Sequence, residues 1–410
     1  MHLPLSKRRR FTSSALAVAA LTATWMVQAD PITDYEVIDA PAMSAPEANR
    51  AALIASTTHA GRVYAVGDYG VVLSWPTADP SQWRQHEVGT SVLLTDVSFA
   101  PADAASQAWA VGHHGVVMHS EDGGNTWTQQ ISGFDLLDLE KTYYESEMAA
   151  AQAELAAATD DEAVDDLSFA VDEFAYLLEN VELAREEGPT KPLLTVHALS
   201  NEQVLAAGAY GLFIESKDAG ESWTMRSGAL ENPNGFHLNV ITSGQIGGEA
   251  VIIMAGEAGQ LFRSLDGGES WATLASPYDG SFFGAHIANE RLWVYGLRGH
   301  IFYSDDAGES FTRVMVPTTV NLSGGVTLSN GDTLIVGHSG TIIRVNADAE
   351  FSAIYTHPSS AVISDIAVTS DDKVALTSRG GLLTFAFTLP TAIPTTTTSA
   401  PADAAARAPQ

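Results

Sequence analysis

The chain is predicted to be all-β: a seven-bladed β-propeller with an N-terminal strand closing the last blade and an acidic α-helical hairpin inserted between blades 2 and 3. Two recurring motifs and their spacing point there. "SEDGGNTW" at Ser120 returns as "SKDAGESW" at Ser216, "SLDGGESW" at Ser264 and "SDDAGESF" at Ser304. Ahead of each box lies an apolar–G–x–x–G–apolar motif, which occurs seven times: "AVGDYGVVLS" (65–74), "AVGHHGVVMHS" (110–120), "AAGAYGLFIES" (206–216), "MAGEAGQLFRS" (254–264), "VYGLRGHIFYS" (294–304), "IVGHSGTIIR" (335–344) and "ALTSRGGLLTF" (375–385). The second glycines fall at Gly70, Gly115, Gly211, Gly259, Gly299, Gly340 and then Gly380 or Gly381, with gaps of 45, 96, 48, 40, 41 and about 40 residues. A repeat of 40–48 residues is the period of propeller blades, and the 96-residue gap is one blade plus an insertion.

In chain order, residues 1–29 read as an export signal. "SKRRRFTSS" is a basic start, "ALAVAALTATWMV" an apolar run, and "VQA" before Asp30 a cleavage site. Arg8, Arg9 and Phe11 also resemble a twin-arginine signal. The mature chain is expected to be exported and periplasmic, soluble or peripheral to a membrane, with no transmembrane anchor of its own. The propeller is expected over 30–389. "DYEVIDA" (34–40) reads as a spare strand, because the last unit offers "VISDIAVTS", "KVALTSR" and "GLLTFAFTL" but no fourth strand. Pairing of that strand in the last blade would clasp the termini together. Within a unit, "LNVITS", "EAVIIMAGEA", "GQLFRSLD" and "SWATLA" (238–275) give four short strands. One such sheet cannot bury both faces, whereas a ring of seven can.

The insertion, 135–188, is rich in Ala, Leu and Glu and holds no Gly or Pro before Gly188 and Pro189. Those are helix formers followed by a stop signal. Two helices of twenty to twenty-five residues are expected, with "TDDEAVDD" as turn and N-cap. Residues 135–187 hold seventeen Asp or Glu against Lys141 and Arg185, about half the net charge of the chain. That composition is read as an acidic docking arm for a basic partner rather than a solvated decoration. The tail, 390–410, is Pro, Thr and Ala without period and is expected to be disordered.

Composition excludes several functions. There is no cysteine, so thiolate metal sites, cysteine nucleophiles and disulfides are all absent. The net charge is −30, and loss of the four basic residues of the signal leaves 16 Lys and Arg against 50 Asp and Glu. Nucleic acid and anionic lipid are poor partners for such a surface.

The boxed turns read as fold parts. Their residues are Ser120, Asp122, Gly124 and Trp127; Ser216, Asp218, Gly220 and Trp223; Ser264, Asp266, Gly268 and Trp271; and Ser304, Asp306, Gly308 and Phe311. Ser and Asp side chains fix the loop by bonding its backbone, Gly supplies a backbone angle others resist, and the aromatic re-enters the packed layer. The G–x–x–G turns lie on the opposite face together with the links between blades. Their varying residues, Asp68, Tyr69, His113, His114, Tyr210, Glu257, Arg298, His338 and Arg379, are the candidate partner-binding set, on an otherwise copied frame. No catalytic residue, metal site or cofactor is assigned. His113, His114 and His338 come from blades two and six and would have to reach across the channel to share an ion.

The boxes resemble the Asp-box, or bacterial neuraminidase repeat. The combined pattern, fullest in "AGEAGQLFRSLDGGESW" (255–271), resembles the photosystem II stability/assembly factor-like propellers. The resemblance covers roughly residues 34–389 apart from the insertion. It implies a non-catalytic propeller that assists a membrane protein complex or its exposed domains, in some bacteria one linked to exporters of the resistance–nodulation–division type; a monomer is expected. The photosynthetic members carry a basic surface patch, whereas this sequence is strongly acidic. The alternative is a sialidase-like glycoside hydrolase or a glycan-binding module. That chemistry needs clustered arginines, a Tyr–Glu pair and an acidic Asp. Here Arg62, Arg226, Arg263, Arg291, Arg298, Arg344 and Arg379 are scattered along the chain.

Overall fold

Each repeat folds into one antiparallel sheet, and seven sheets succeed one another along the chain. The computed structural model describes residues 36–101, 107–370 and 373–386. The expected export signal and the expected disordered tail lie outside the described residues. Blade 1 comprises Leu53–His59, Arg62–Gly67, Val72–Pro76 and Arg84–Gln85. Blade 2 comprises Leu94–Phe99, Ala108–Gly112, Val117–Ser120 and Thr126–Ile131, and its outer edge takes on Glu87–Val88 as a parallel fifth strand. Blades 3 to 6 start at Leu193–Ala198, Leu238–Ile246, Phe282–Ala288 and Leu322–Thr327, each with four strands in order. Blade 7 has three strands among the described residues: Ile363–Ser370, Lys373–Ser378 and Leu383–Ala386.

The middle strands are buried on both faces. Val63–Gly67, Ala108–Gly112, Val204–Gly208 and Thr333–Gly337 are buried throughout, because each blade is covered by a neighbour on either side. Such strands are near-continuous apolar runs rather than alternating ones. Each junction between neighbouring blades holds its own core. Blades 2 and 3 meet over Trp109, Ile131, Val196 and Trp223, and blades 7 and 1 over Ala367, Ala375, Val63 and Trp75.

All seven innermost strands begin with a β-bulge at their second residue. The bulge frees that residue from the ladder, and in three blades its side chain reaches the next blade. Thr95 Oγ1 donates to the Leu193 carbonyl (2.7 Å), Asn239 Nδ2 to Phe282 (2.8 Å) and Ser323 Oγ to Ile363 (2.7 Å). The residue after the bulge is an Asp in two blades. Asp96 Oδ2 accepts from Val196 N (2.9 Å) and Thr195 Oγ1 (3.0 Å) of blade 3. Asp365 Oδ2 accepts from Ser56 N (2.8 Å) and Ser56 Oγ (2.9 Å) of blade 1. The second of these closes the ring, together with the Leu382 N–H bonded to the Asn49 carbonyl (2.8 Å).

The expected N-terminal clasp is corrected. Asp34 and Tyr35 lie outside the described residues, and Glu36–Asp39 is a helical turn, not a strand of blade 7. Ile38, 1% exposed, plugs the core between blades 1 and 2. The Val37 carbonyl accepts from Ser91 N (3.1 Å) and Thr90 Oγ1 (3.2 Å). The missing fourth strand of the last unit suggested an edge strand here, but Ile38 fits an apolar hole between blades 1 and 2, and closure falls to Asp365 instead.

The insertion is a helical hairpin, Gly133–Ala157 and Asp161–Glu187. Ser132 caps the first helix in a reciprocal capping box with Asp135, and Asp160 caps the second by accepting from Ala163 N (3.1 Å). Gly188, at φ 95°, ends it. The arm's two basic side chains brace its helices: Lys141 Nζ meets Glu182 Oε1 (2.5 Å), and Arg185 pairs with Asp138.

Candidate functional site

Every G–x–x–G turn is pinned to the link entering its own blade by one equivalent hydrogen bond. Asp68 N donates to Ala52 O (2.8 Å), His113 N to Leu93 O (2.9 Å), Ala209 N to Pro192 O (3.1 Å) and Glu257 N to His237 O (2.8 Å). Leu297 N donates to Ser281 O (2.9 Å), His338 N to Asn321 O (3.0 Å) and Arg379 N to Val362 O (3.1 Å). The bond explains the first glycine. A Cβ on Gly67, Gly112, Gly208, Gly256, Gly296 or Gly337 would stand 2.0–2.4 Å from that same carbonyl oxygen. In blade 7 the register sets Ser378 opposite Ile363, as Gly67 stands opposite Leu53. Ser378 therefore replaces the first glycine, and Gly381, at φ 96°, is the second.

The second varying residue of each of the first six turns is left-handed without being glycine. Tyr69, His114, Tyr210, Ala258, Arg298 and Ser339 have φ between 52° and 58°. That conformation costs about 1 kcal/mol for a residue with a Cβ. Tyr69 is 60% exposed and Tyr210 67%. Tyr210 stands edge-on to His237 at 5.2 Å, and His237 Nδ1 lies 3.9 Å from Glu257 Oε2. Three residues from the turns and links of blades 3 and 4 thus form one exposed cluster.

The other sequence-named residues are placed differently. Asp68 is half-buried beside Tyr69, while His113 and Arg298 are exposed. His338 and Arg379 stand at one mouth of the central channel, a cavity of about 800 Å³ that runs to His59, Phe99 and Pro101 at the other mouth. His114 is covered: its Nδ1 is 2.6 Å from the Pro189 carbonyl, at the foot of the hairpin. His113, His114 and His338 are not brought together. No group of three or more His, Asp or Glu that could hold a metal ion occurs among the described residues.

The hairpin rises from this same face. Leu136 packs against Gly115, and Gly133 lies under the His114 carbonyl. The Tyr143 hydroxyl reaches Gly228 of blade 3. At its foot Glu140, 2% exposed, pairs with Lys191 Nζ at 2.5 Å.

The boxed turns occupy the opposite face and share one bond set. In the third, Ser264 Oγ donates to Asp266 Oδ1 (2.8 Å) and accepts from Gly268 N (2.8 Å), while Ser270 N and Oγ donate to Asp266 at 3.0 and 2.5 Å. Ser120 with Asp122, Ser216 with Asp218 and Ser304 with Asp306 repeat it. The Ser270 and Ser264 bonds hold the Asp266 carboxyl down to about 2. Trp127 and Trp271 bond back to the carbonyls of Gly124 and Gly268, both at 3.1 Å. Trp223 and Phe311 pack into the junctions before their own blades. Side chains of the preceding blade grip these turns: Tyr64 takes Gly123 O (2.8 Å), Gln130 takes Ala219 O (2.9 Å) and Arg263 takes Ala307 O (3.1 Å). Gly220 and Gly308, at φ 85° and 90°, hold the backbone angle of the turn.

Sequence reading missed Asp96 and Asp365. Burial raises Asp96 to about 7 and Asp365 to about 6, against the hydrogen bonds that favour their ionised forms. The signal was present: "LTDVS" (94–98) and "ISDIA" (363–367) are one motif in two blades. His237 was also missed, being a lone histidine in a link.

Residues 75–154 match the family model described as Photosynthesis system II assembly factor YCF48. No curated protein sequence matches the chain. Among solved structures, the chain is similar to one described as YCF48 bound to D1 peptide, with a TM-score of 0.52 and 14% identity over 83% of this chain and 94% of that one. It is also similar to YCF48 from Cyanidioschyzon merolae, with 0.52 and 13% over 82% and 96%. The WD40 β-propeller domain of Doa1 gives 0.51 and 10% over 85% and 95%. The fold is a β-propeller with an inserted helical hairpin, and the chain is similar to the photosystem II assembly factor-like propellers.

Proposed function

We propose that this chain is an exported, non-catalytic propeller that acts as an accessory or assembly factor for a membrane protein complex. It grips that complex through the face carrying the G–x–x–G turns and the hairpin. One observation carries the reading: seven equivalent backbone bonds lock the turn frame, and that frame presents Tyr69 and Tyr210, among the most exposed large hydrophobic side chains described. Exposed tyrosines on a rigid frame bury much area at little cost in ordering. The similar propeller bound to a D1 peptide supports a protein ligand. No helix among the described residues is long and apolar enough to cross a membrane, which suits a factor that attaches to a membrane protein from outside. The partner is taken to be an envelope complex such as a resistance–nodulation–division exporter rather than a photosystem.

The test is co-purification from detergent-solubilised membranes with tagged mature protein. Recovery of one membrane complex, lost on Tyr69→Ala with Tyr210→Ala, is expected. Folded protein that recovers nothing, or a complex indifferent to both substitutions, overturns the proposal.

A further inference from the structure

The second hairpin helix carries two apolar stripes where a two-helix arm needs one. Phe174 faces the first helix, its ring centroid 6.4 Å from that of Tyr144, and Val181 is buried at the foot. Tyr176 lies two residues on, about 200° around the helix. It is 63% exposed, Phe169 is 70% exposed and Leu183 is 50% exposed. These three stand seven residues apart, so they form one stripe about 21 Å long on the outer face, drifting about 20° per heptad. Carboxylates flank the line on both sides: Asp165, Asp166, Asp172, Glu173 and Glu179 are all exposed. None of the five has an ion-pair partner among the described residues.

We propose that this outer stripe docks a basic amphipathic helix of the partner, with apolar residues at heptad spacing between flanks of Lys and Arg. The proposal rests on the hairpin being a binding arm and adds which face binds and what chemistry it takes. Charge selects the occupant. A second copy of this chain would bring carboxylates against carboxylates, and an anionic lipid surface would be repelled in the same way. A basic helix satisfies the apolar line and the unpaired carboxylates together. Because the flanks act through charge, association should weaken as salt rises.

The probe is a fluorescent 21-residue model helix, Leu at its heptad core and Lys on its flanks, titrated with the full mature chain by anisotropy at low and high salt. The expected result is binding that weakens with salt, falls tenfold or more in a Phe169→Ser, Tyr176→Ser, Leu183→Ser variant, and vanishes for the same helix with Glu flanks. Equal binding by variant and wild type, binding of the Glu-flanked helix, or no binding overturns the proposal. So does a concentration-dependent dimer that the triple variant abolishes, since the occupant would then be a second copy. The Tyr69→Ala, Tyr210→Ala variant separates the two readings. It should bind the model helix normally, so loss of membrane co-purification with intact helix binding concerns the turn face alone. Helical circular dichroism of the triple variant confirms that the arm is folded.

Discussion

Asp365 should make closure of the ring depend on pH in a direction opposite to that of an ordinary ion-paired carboxylate. Its folded pKa is about 6 against an ordinary 3.8, because burial outweighs the bonds from Ile366 and Ser56. A raised folded pKa means the native state holds the proton more tightly. The associated stability is fully present below pH 3.8 and is lost as pH rises through 6. Between pH 5 and pH 8 the linkage relation gives a loss of about 1.4 kcal/mol from this group. Asp365→Asn keeps the shape and an acceptor for Ser56 but has no proton to lose. The assay is urea unfolding of both proteins at pH 5 and pH 8, compared as differences so that groups the Asp365 charge does not touch cancel. Asp96, whose pKa that charge also raises, adds to the difference with the same sign. Relative to wild type, the variant should gain about 1.4 kcal/mol on going from pH 5 to pH 8. A difference that stays constant, or moves against the variant, would mean that the hydrogen bonds keep Asp365 ionised, and the account of closure would fail.

Other substitutions probe the frame and the arm. Gly256→Ala puts a Cβ 2.2 Å from the His237 carbonyl oxygen and should cost about 2–3 kcal/mol by thermal melting, although its φ suits any residue. Tyr210→Gly relieves a left-handed tyrosine and should stabilise the fold by about 0.5–1 kcal/mol while weakening membrane co-purification, which separates stability from binding. Lys191→Met strands the Glu140 carboxylate and should cost about 2–3 kcal/mol, with faster amide exchange at the foot of the hairpin.

Much of this architecture could be read in the sequence because copies expose a rule. Seven G–x–x–G motifs and four boxes gave the blades and the order of strands within them, and the composition of 135–188 gave the two helices. What remained hidden lies between blades. The first glycine is there because a carbonyl from a link comes within 2.4 Å of its Cβ position, a contact no single repeat displays. The bulged second residue of the inner strands is of no shared type, reading Ile54, Thr95, Leu194, Asn239, Phe283, Ser323 and Ser364, so most of the bulges leave no common mark. The N-terminal segment misled because one buried side chain, Ile38, and the bonds to the Val37 carbonyl hold it, and neither is a period in the sequence. For the candidate site, the exposed Tyr69 and Tyr210 were named from their turns. His114 was named as well but lies under the hairpin, since nothing local shows where an inserted arm will rest. The outer stripe was hidden by a neighbouring one: Phe169, Tyr176 and Leu183 interleave with the residues that hold the hairpin together.

Whether the turn face is where the partner sits can be settled by photo-cross-linking from single positions in living cells. Benzoylphenylalanine placed at Tyr69 or Tyr210 should give the same membrane-protein adduct, and placed at Leu265, an exposed residue (49%) in a boxed turn on the opposite face, should give none. An adduct from Leu265 alone, or equally from all three positions, would contradict the assignment of the binding face.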